Sequence, residues 1–163
     1  MQIVKTGVGL LIAAVFGLSS CTAGSVPGGP APETAAAAAA PVPTGGFGAM
    51  LNAQRASAGL PPATADARLT AAAQAHAQDM VTQNYFSHTG LDGRSSADRV
   101  RAAGYSSCRP SENIAFGQNS EAEVLQTWVN SPPHLANIDM RGPVQYGLGH
   151  AGTKWVLVVA GVC

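Results

Sequence analysis

The sequence has no excess of charge of either sign, because its 9 lysines and arginines are balanced by 9 aspartates and glutamates. A protein that binds the phosphate backbone of a nucleic acid needs a basic surface, so this composition argues against a nucleic-acid partner. Two catalytic signatures are also missing from the sequence. It contains neither the His-Glu-x-x-His pattern of zinc peptidases nor the Gly-x-Ser-x-Gly turn that carries a hydrolase serine.

The apolar run near the start of the chain, VGLLIAAVFGL at residues 8–18, is too short for a membrane-spanning helix. Lys5 precedes the run and small residues follow it, which is typical of a secretory signal peptide. The segment Leu18–Cys21 resembles the lipobox of bacterial lipoproteins, in which the cysteine becomes the lipid-carrying first residue. We therefore predict a signal peptide over residues 1–20, lipidation of Cys21, and an exported protein anchored to a membrane of the cell envelope. The alternative is an ordinary signal peptide with a coincidental cysteine.

Residues 22–46 contain almost no large apolar side chain and are rich in alanine, proline and glycine. Such a segment cannot bury enough surface to offset the entropy lost on ordering. We therefore predict a flexible tether over residues 21–46 and one folded domain over residues 47–163.

Three cysteines are an odd number for an exported protein, in which cysteines usually pair. If Cys21 carries lipid, Cys108 and Cys163 remain, and an oxidising compartment allows a bridge between them to persist. We predict a disulfide that ties the end of the chain to the middle of the domain.

Within the domain, helical patterns come first and strand patterns come last. Apolar stripes or helix-start signals mark helices within residues 47–62, 64–84, 95–104 and 120–130 and from residue 132 onward. Strand patterns occupy residues 112–117, 145–150 and 154–162, and the last is a continuous apolar run suited to a strand covered on both faces. The order predicts an α+β fold with helices packed on an antiparallel sheet.

Five titratable residues stand out as candidates for chemistry or for burial. His76 lies on the apolar stripe of its helix, where a core histidine with one hydrogen bond is the favoured interpretation, and His150 at a hairpin edge is expected to be exposed. Glu112 precedes an apolar segment, so its carboxylate turns inward and needs a partner. His88 and His134 are candidate partners, and the residue pattern does not choose between them.

The segment NSPPHLANI, residues 130–138, predicts a helix whose first turn contains two prolines and a histidine. Ser131 is the expected N-cap. A helix N-terminus disfavours positive charge, so His134 is expected to be neutral, the form of imidazole that binds a metal ion. The alternative is that the prolines only end the preceding helix and His134 forms hydrogen bonds within the core.

Four motifs in this order and at these separations resemble the CAP superfamily, the cysteine-rich secretory, antigen 5 and pathogenesis-related-1 group, in its bacterial SCP-like branch. The motifs are LNAQRASAGL (51–60), YFSHTG (85–90), SENIAFG (111–117), and WVNSPPHLANI (128–138) followed by YGLGH (146–150). The resemblance covers residues 47–163. It implies an α-β-α sandwich in which helices flank a small antiparallel sheet.

The resemblance also implies a central cavity formed by His88, Glu112 and His134, and a structural role for Asn52 and Arg55. Two imidazoles and one carboxylate are ligands that a divalent cation accepts, zinc above all, with one position left open. From the sequence alone, Glu112→Gln is expected to stabilise the metal-free domain, because a buried charge without its ion is costly.

The chain departs from the family pattern at two positions. Ser111 replaces the glycine before the motif's glutamate. In many eukaryotic members a second glutamate lies three residues after the helix tryptophan, and counting from Trp128 this chain has Ser131 there. One acid of the usual four-residue set is therefore missing, and Ser131 is expected to cap its own helix.

Three functions remain open at this point. The first is a lipid-anchored surface binding module whose cavity holds a divalent cation or small ligand and whose surface meets another protein or molecule. The second is a metal-dependent hydrolase or peptidase that uses the same cavity. The third is a carrier of sterols or other lipids, which some family members bind.

Overall fold

The computed structural model describes residues 46–163. The predicted signal peptide, the lipidation site Cys21 and all but the last residue of the predicted tether lie outside the described residues. Within residues 46–163, none of the helices has the length and hydropathy needed to span a bilayer.

The described chain forms five helices and four strands. Their bounds are α1 (Phe47–Ser57), β1 (Thr64–Ala65), α2 (Ala67–Thr82), α3 (Ser96–Ala102), β2 (Arg109–Phe116), α4 (Glu121–Val129), α5 (Pro132–Ile138), β3 (Val144–Ala151) and β4 (Lys154–Gly161). The sheet order is β1-β3-β4-β2. This arrangement confirms the predicted α+β fold.

The sheet is mixed rather than purely antiparallel, which corrects one detail of the expectation. β4 pairs antiparallel with both β2 and β3, whereas the two-residue strand β1 pairs parallel with β3. Parallel neighbours require a long crossover between them, and here the chain from α2 through α5 supplies it.

Strand β4 separates two apolar cores, one on each face of the sheet. Trp155, Leu157 and Val159 point into the core that contains Trp128 of α4, together with residues of α1. The alternate residues of β4 point into the core formed by α2 and α3. Because successive side chains of a strand face opposite sides, this alternation explains the continuous apolar run of β4 and the sandwich of helices around it.

Two glycines of the YGLGH segment let α2 approach β3 closely. A side chain at Gly147 would overlap the α2 backbone at Leu69, and one at Gly149 would overlap it at Ala73. The motif therefore acts through the absence of side chains on the face of β3 that α2 covers.

Helix-start signals in the sequence are confirmed at α3 and in part at α4. Ser95 and Asp98 form a reciprocal capping box. At α4 the Ser120 side chain accepts from the backbone N–H of Glu123, but the Glu123 carboxylate accepts from Asn119 and not from Ser120. Only half of a reciprocal capping box is therefore present at α4.

The structure pairs Cys108 with Cys163 in a disulfide, as predicted, with their Cα atoms 5.4 Å apart. Both residues are exposed. The bridge joins the segment just before β2 to the segment just after β4, next to the first residue pair of these strands, Arg109 with Gly161.

Candidate functional site

The carboxylate of Glu112, on β2, is the centre of a buried polar cluster. Its side chain is 3% exposed. Oε2 accepts from Nη2 of Arg99 at 2.7 Å, and Oε1 lies 2.9 Å from Nδ1 of His88. Nε2 of His76 is 3.9 Å from the same oxygen. The partner that a buried carboxylate requires is thus a buried arginine together with a histidine.

Arg99 is the member of the cluster that the sequence analysis missed. Its side chain, from α3, is 9% exposed and also donates to the carbonyl oxygens of Arg94 and His88. Because Arg99 neutralises Glu112, the carboxylate is not an uncompensated charge. This contact reverses the expectation for Glu112→Gln: the change would leave the arginine buried without its counter-charge, so we now expect it to destabilise the domain.

Three contacts hold the loop that presents His88. The carbonyl oxygen of Ser87 accepts from Nε2 of His76 at 2.9 Å, and the carbonyl oxygen of His88 accepts from Arg99. Phe86 packs edge-on against Phe116 of β2 with ring centroids 5.0 Å apart. These contacts fix residues 86–88 of the loop, while the side chain of His88 is 56% exposed.

His134 lies in the first turn of α5, and its Nδ1 is 2.9 Å from Oγ of Ser131. Ser131 occupies the N-cap position but makes no side-chain cap bond to α5, which corrects the expectation that its hydroxyl caps the helix. N-cap side chains accept from the second or third backbone N–H of the helix. Proline has no N–H, so Pro132 and Pro133 leave only the N–H of His134, and the hydroxyl bonds to the imidazole instead.

A pair of asparagines fastens α5 to β2. The Asn113 side chain donates to the carbonyl of His134 at 3.0 Å, and Asn137 donates to the Asn113 side-chain oxygen at 2.7 Å. Asn113 follows Glu112 directly along β2. The two asparagines therefore set the position of His134 relative to Glu112.

Burial keeps two of the histidines neutral. Desolvation lowers the pKa of His134, and the charge of His88 lowers it further. Desolvation also lowers the pKa of His76, opposed by the negative charge of Glu112. The contribution of His88 to the pKa of His134 is consistent with the two residues lying in one region of the molecule.

The three predicted site residues do not all contact one another. Glu112 and His88 are in direct contact, whereas His134 bonds to Ser131. Within residues 46–163, no three or more His, Cys, Asp or Glu side chains form a group that could hold a metal ion. Glu112, the third predicted ligand, contacts the ring of His88 and the guanidinium of Arg99.

The other residues singled out in the sequence have structural roles. Asn52 exchanges two hydrogen bonds with the backbone of Ala63, and the buried side chain of Arg55 donates to three backbone carbonyls. His76 is a core histidine with one hydrogen bond, as predicted. His150 is exposed and stacks on Trp155 at 3.7 Å.

Sequence comparison places the chain among known proteins. A model of the cysteine-rich secretory protein family, CAP, matches residues 49–159. YkwD of Bacillus subtilis (strain 168) is 36% identical over 108 residues, which are 65% of this chain and 42% of the relative. This chain therefore spans less than half the length of that relative.

Two solved structures share the fold. An extracellular protein containing an SCP domain from Bacillus anthracis superposes with a TM-score of 0.66 at 24% identity, over 71% of this chain and 39% of that one. An outer surface protein from Borrelia burgdorferi superposes with a TM-score of 0.62 at 18% identity, over 71% of this chain and 89% of that one. The family match covers more than half of the sequence and agrees with the resemblance noted above, so this chain belongs to the CAP family of cysteine-rich secretory proteins.

Proposed function

We propose that this protein is an exported, lipid-anchored surface binding module that holds a divalent cation between His88 and His134. The observation that carries the proposal is a shared arrangement of the two imidazoles. Each ring has its Nδ1 within hydrogen-bond distance of an oxygen, on Glu112 for His88 and on Ser131 for His134. Each ring therefore has Nε2 left over as the candidate ligand atom.

Hydrogen bonds of this kind are typical of metal-binding histidines. A carboxylate that holds one ring nitrogen fixes the tautomer and the orientation, so that the other nitrogen presents its lone pair. The Ser131 hydroxyl can donate or accept, so it fixes the orientation of the His134 ring and allows the tautomer in which Nε2 carries the lone pair. Ionised Glu112 can only accept, so Nδ1 of His88 carries the proton and Nε2 is free to coordinate. In this proposal Glu112 and Ser131 orient the ligands and do not bind the ion themselves.

The donor set suits zinc or a similar ion, with modest affinity. Neutral imidazole nitrogen is a ligand that zinc accepts, and the lowered pKa of His134 favours the neutral form. The charge of Glu112 is already matched by Arg99, so it adds little attraction for a cation. With two protein ligands, a bound ion would supply a Lewis-acidic position open to water or to a group on a partner molecule.

Export is supported by two structural relatives, one an extracellular protein and the other an outer surface protein. The signal-like residues 1–20 point the same way. Lipid anchoring rests on the resemblance of Leu18–Cys21 to a lipobox. The membrane would then be one partner, and the molecule bound at the proposed cation between His88 and His134 would be the other.

Calorimetric titration of the full mature chain with zinc chloride tests the proposed site. We expect His88→Ala and His134→Ala each to abolish saturable binding, because each removes one of two ligands. His150→Ala is the matched control, since it removes an exposed histidine of β3 that makes no contact with Glu112 in the described structure. If all three variants bind zinc as the wild type does, or if the wild type does not bind, the proposed site is wrong.

A further inference from the structure

A cavity lies between α2, α3 and the loop around residues 90–94. Its volume is about 330 Å3, within the range of small-molecule sites. Short side chains from both helices form its apolar walls: Ala71, Ala72, Ala75, Ala102 and Ala103. The polar residues that line it are His76 and Asp79 of α2, Asp92 and Arg94 of the loop, and Arg99 of α3.

His76 lines this cavity and has a buried ring nitrogen without a hydrogen-bond partner in the described structure. The residue is 1% exposed, and its Nε2 donates to the carbonyl oxygen of Ser87 at 2.9 Å. The neutral ring therefore carries its lone pair on Nδ1, and that atom has no partner among residues 46–163. Buried polar atoms are almost always hydrogen-bonded, so an unpartnered nitrogen in a ring that lines a cavity points to a missing donor.

The charges around the cavity leave one carboxylate without a cation. Nε of Arg94 contacts Asp92 at 2.5 Å, and Arg99 contacts Glu112 at 2.7 Å. Asp79 accepts only from neutral donors in the described structure, the hydroxyl of Tyr85 and the side-chain amide of Gln83. These hydrogen bonds lower the pKa of Asp79, which is therefore ionised at neutral pH.

We propose that this cavity binds a small organic cation, a primary ammonium group on a short apolar chain. His76 and Asp79 are three residues apart on α2 and therefore share a face of the helix. The ammonium would donate to the Asp79 carboxylate and to Nδ1 of His76, while the chain packs against the alanines. An anion is disfavoured because both guanidiniums already have carboxylate partners. This site is separate from the one proposed between His88 and His134.

The probe is n-butylammonium chloride, and the readout is the imidazole nitrogen resonance of His76 together with backbone amide shifts in the full chain. We expect saturable shifts at His76 and along α2 and α3. Butanol has the same chain length and a neutral donor, and we expect it to bind about tenfold more weakly or worse, because a charge-assisted hydrogen bond is lost.

Two variants and one control locate the probe. Ala75→Leu fills the cavity and should abolish binding, whereas Ala67→Leu makes the same change at an exposed position of α2 outside the cavity and should leave binding unchanged. Asp79→Asn keeps the shape of the side chain but removes its charge and should weaken binding about tenfold. Zinc binding by Ala75→Leu should equal that of the wild type, which separates this site from the proposed metal site.

Three outcomes would overturn the proposal. Equal binding of butanol would show that the charge of Asp79 is not used. Unchanged binding by Ala75→Leu would place the probe elsewhere. Absence of a saturable shift at His76 would mean that the cavity holds solvent only.

Discussion

Replacing Glu112 with glutamine is expected to destabilise the domain, because the change removes the counter-charge of a buried arginine. Arg99 is 9% exposed and contacts the Glu112 carboxylate at 2.7 Å. Removing one partner of a buried ion pair costs about 3–5 kcal/mol. The glutamine oxygen can still accept one hydrogen bond from the charged Arg99, which recovers about 1.5–3 kcal/mol. We therefore expect a net loss of about 2 kcal/mol in the free energy of unfolding.

Urea denaturation followed by tryptophan fluorescence measures this change in the free energy of unfolding. A loss of this size corresponds to a melting temperature lower by about 10 °C for a domain of this length. Glu123→Gln is the control at an exposed acid of α4. Its amide oxygen can still accept from the backbone N–H of Asn119, so we expect only the loss of the charge at the helix N-terminus, about 0.3–1 kcal/mol.

A double variant separates loss of the ion pair from loss of shape. Adding Arg99→Met to Glu112→Gln removes the stranded charge, so the double variant should be more stable than Glu112→Gln alone. A Glu112→Gln domain as stable as the wild type, or more stable, would refute the reasoning. A double variant that is less stable than Glu112→Gln by the full cost of a second, independent substitution would also refute the reasoning.

Three further predictions concern pH, the disulfide and the anchor. Burial lowers the folded-state pKa of His76 and His134, so the unfolded chain binds protons first, and stability should fall as the pH drops below about 6.5. Urea titrations across this range should show a shallower slope for His134→Gln than for the wild type, and equal slopes would contradict the assignment. Reduction of the Cys108–Cys163 bridge, which closes a loop with a sequence separation of 55, should cost about 4 kcal/mol in the chain-entropy model. Alkylation of both thiols without prior reduction would show that the bridge is absent. Mass analysis of the mature N-terminus should find lipid on Cys21, and an unmodified Cys21 or cleavage elsewhere would exclude the anchor.

The local elements of this fold follow from short-range patterns in the sequence. The α2 stripe, the reciprocal cap of Ser95 with Asp98 and the apolar run of β4 each depend on residues a few positions apart. The sheet partner β1 was not predicted, because two residues carry no periodicity and their pairing with β3 is set by a contact about 80 residues away.

Which of the predicted site residues contact one another also depends on long-range packing. His88, Glu112 and His134 were identified by their motifs, and two of them are in contact. The need of Glu112 for a partner was visible in the sequence, but Arg99 as that partner was not. Arg99 adjoins Glu112 only because α3 packs against β2, and nothing in the residues around it distinguishes it from an arginine on a solvated helix face.

Residue types and near neighbours are enough to show which residues are apolar, where helices begin and which two cysteines could pair. Four motifs in the sequence also indicate the family of the chain. The partner of each polar group, in contrast, is known only from the folded structure. Ser131 turns to His134 because Pro132 and Pro133 offer no N–H, and Glu112 is neutralised by Arg99. The structure is also needed to show that Nδ1 of His76 has no partner among the described residues and that His76 lines a cavity between α2 and α3. Hydrogen bonds and ion pairs act over about 3 Å, so they depend on how distant segments pack and not on their order along the chain.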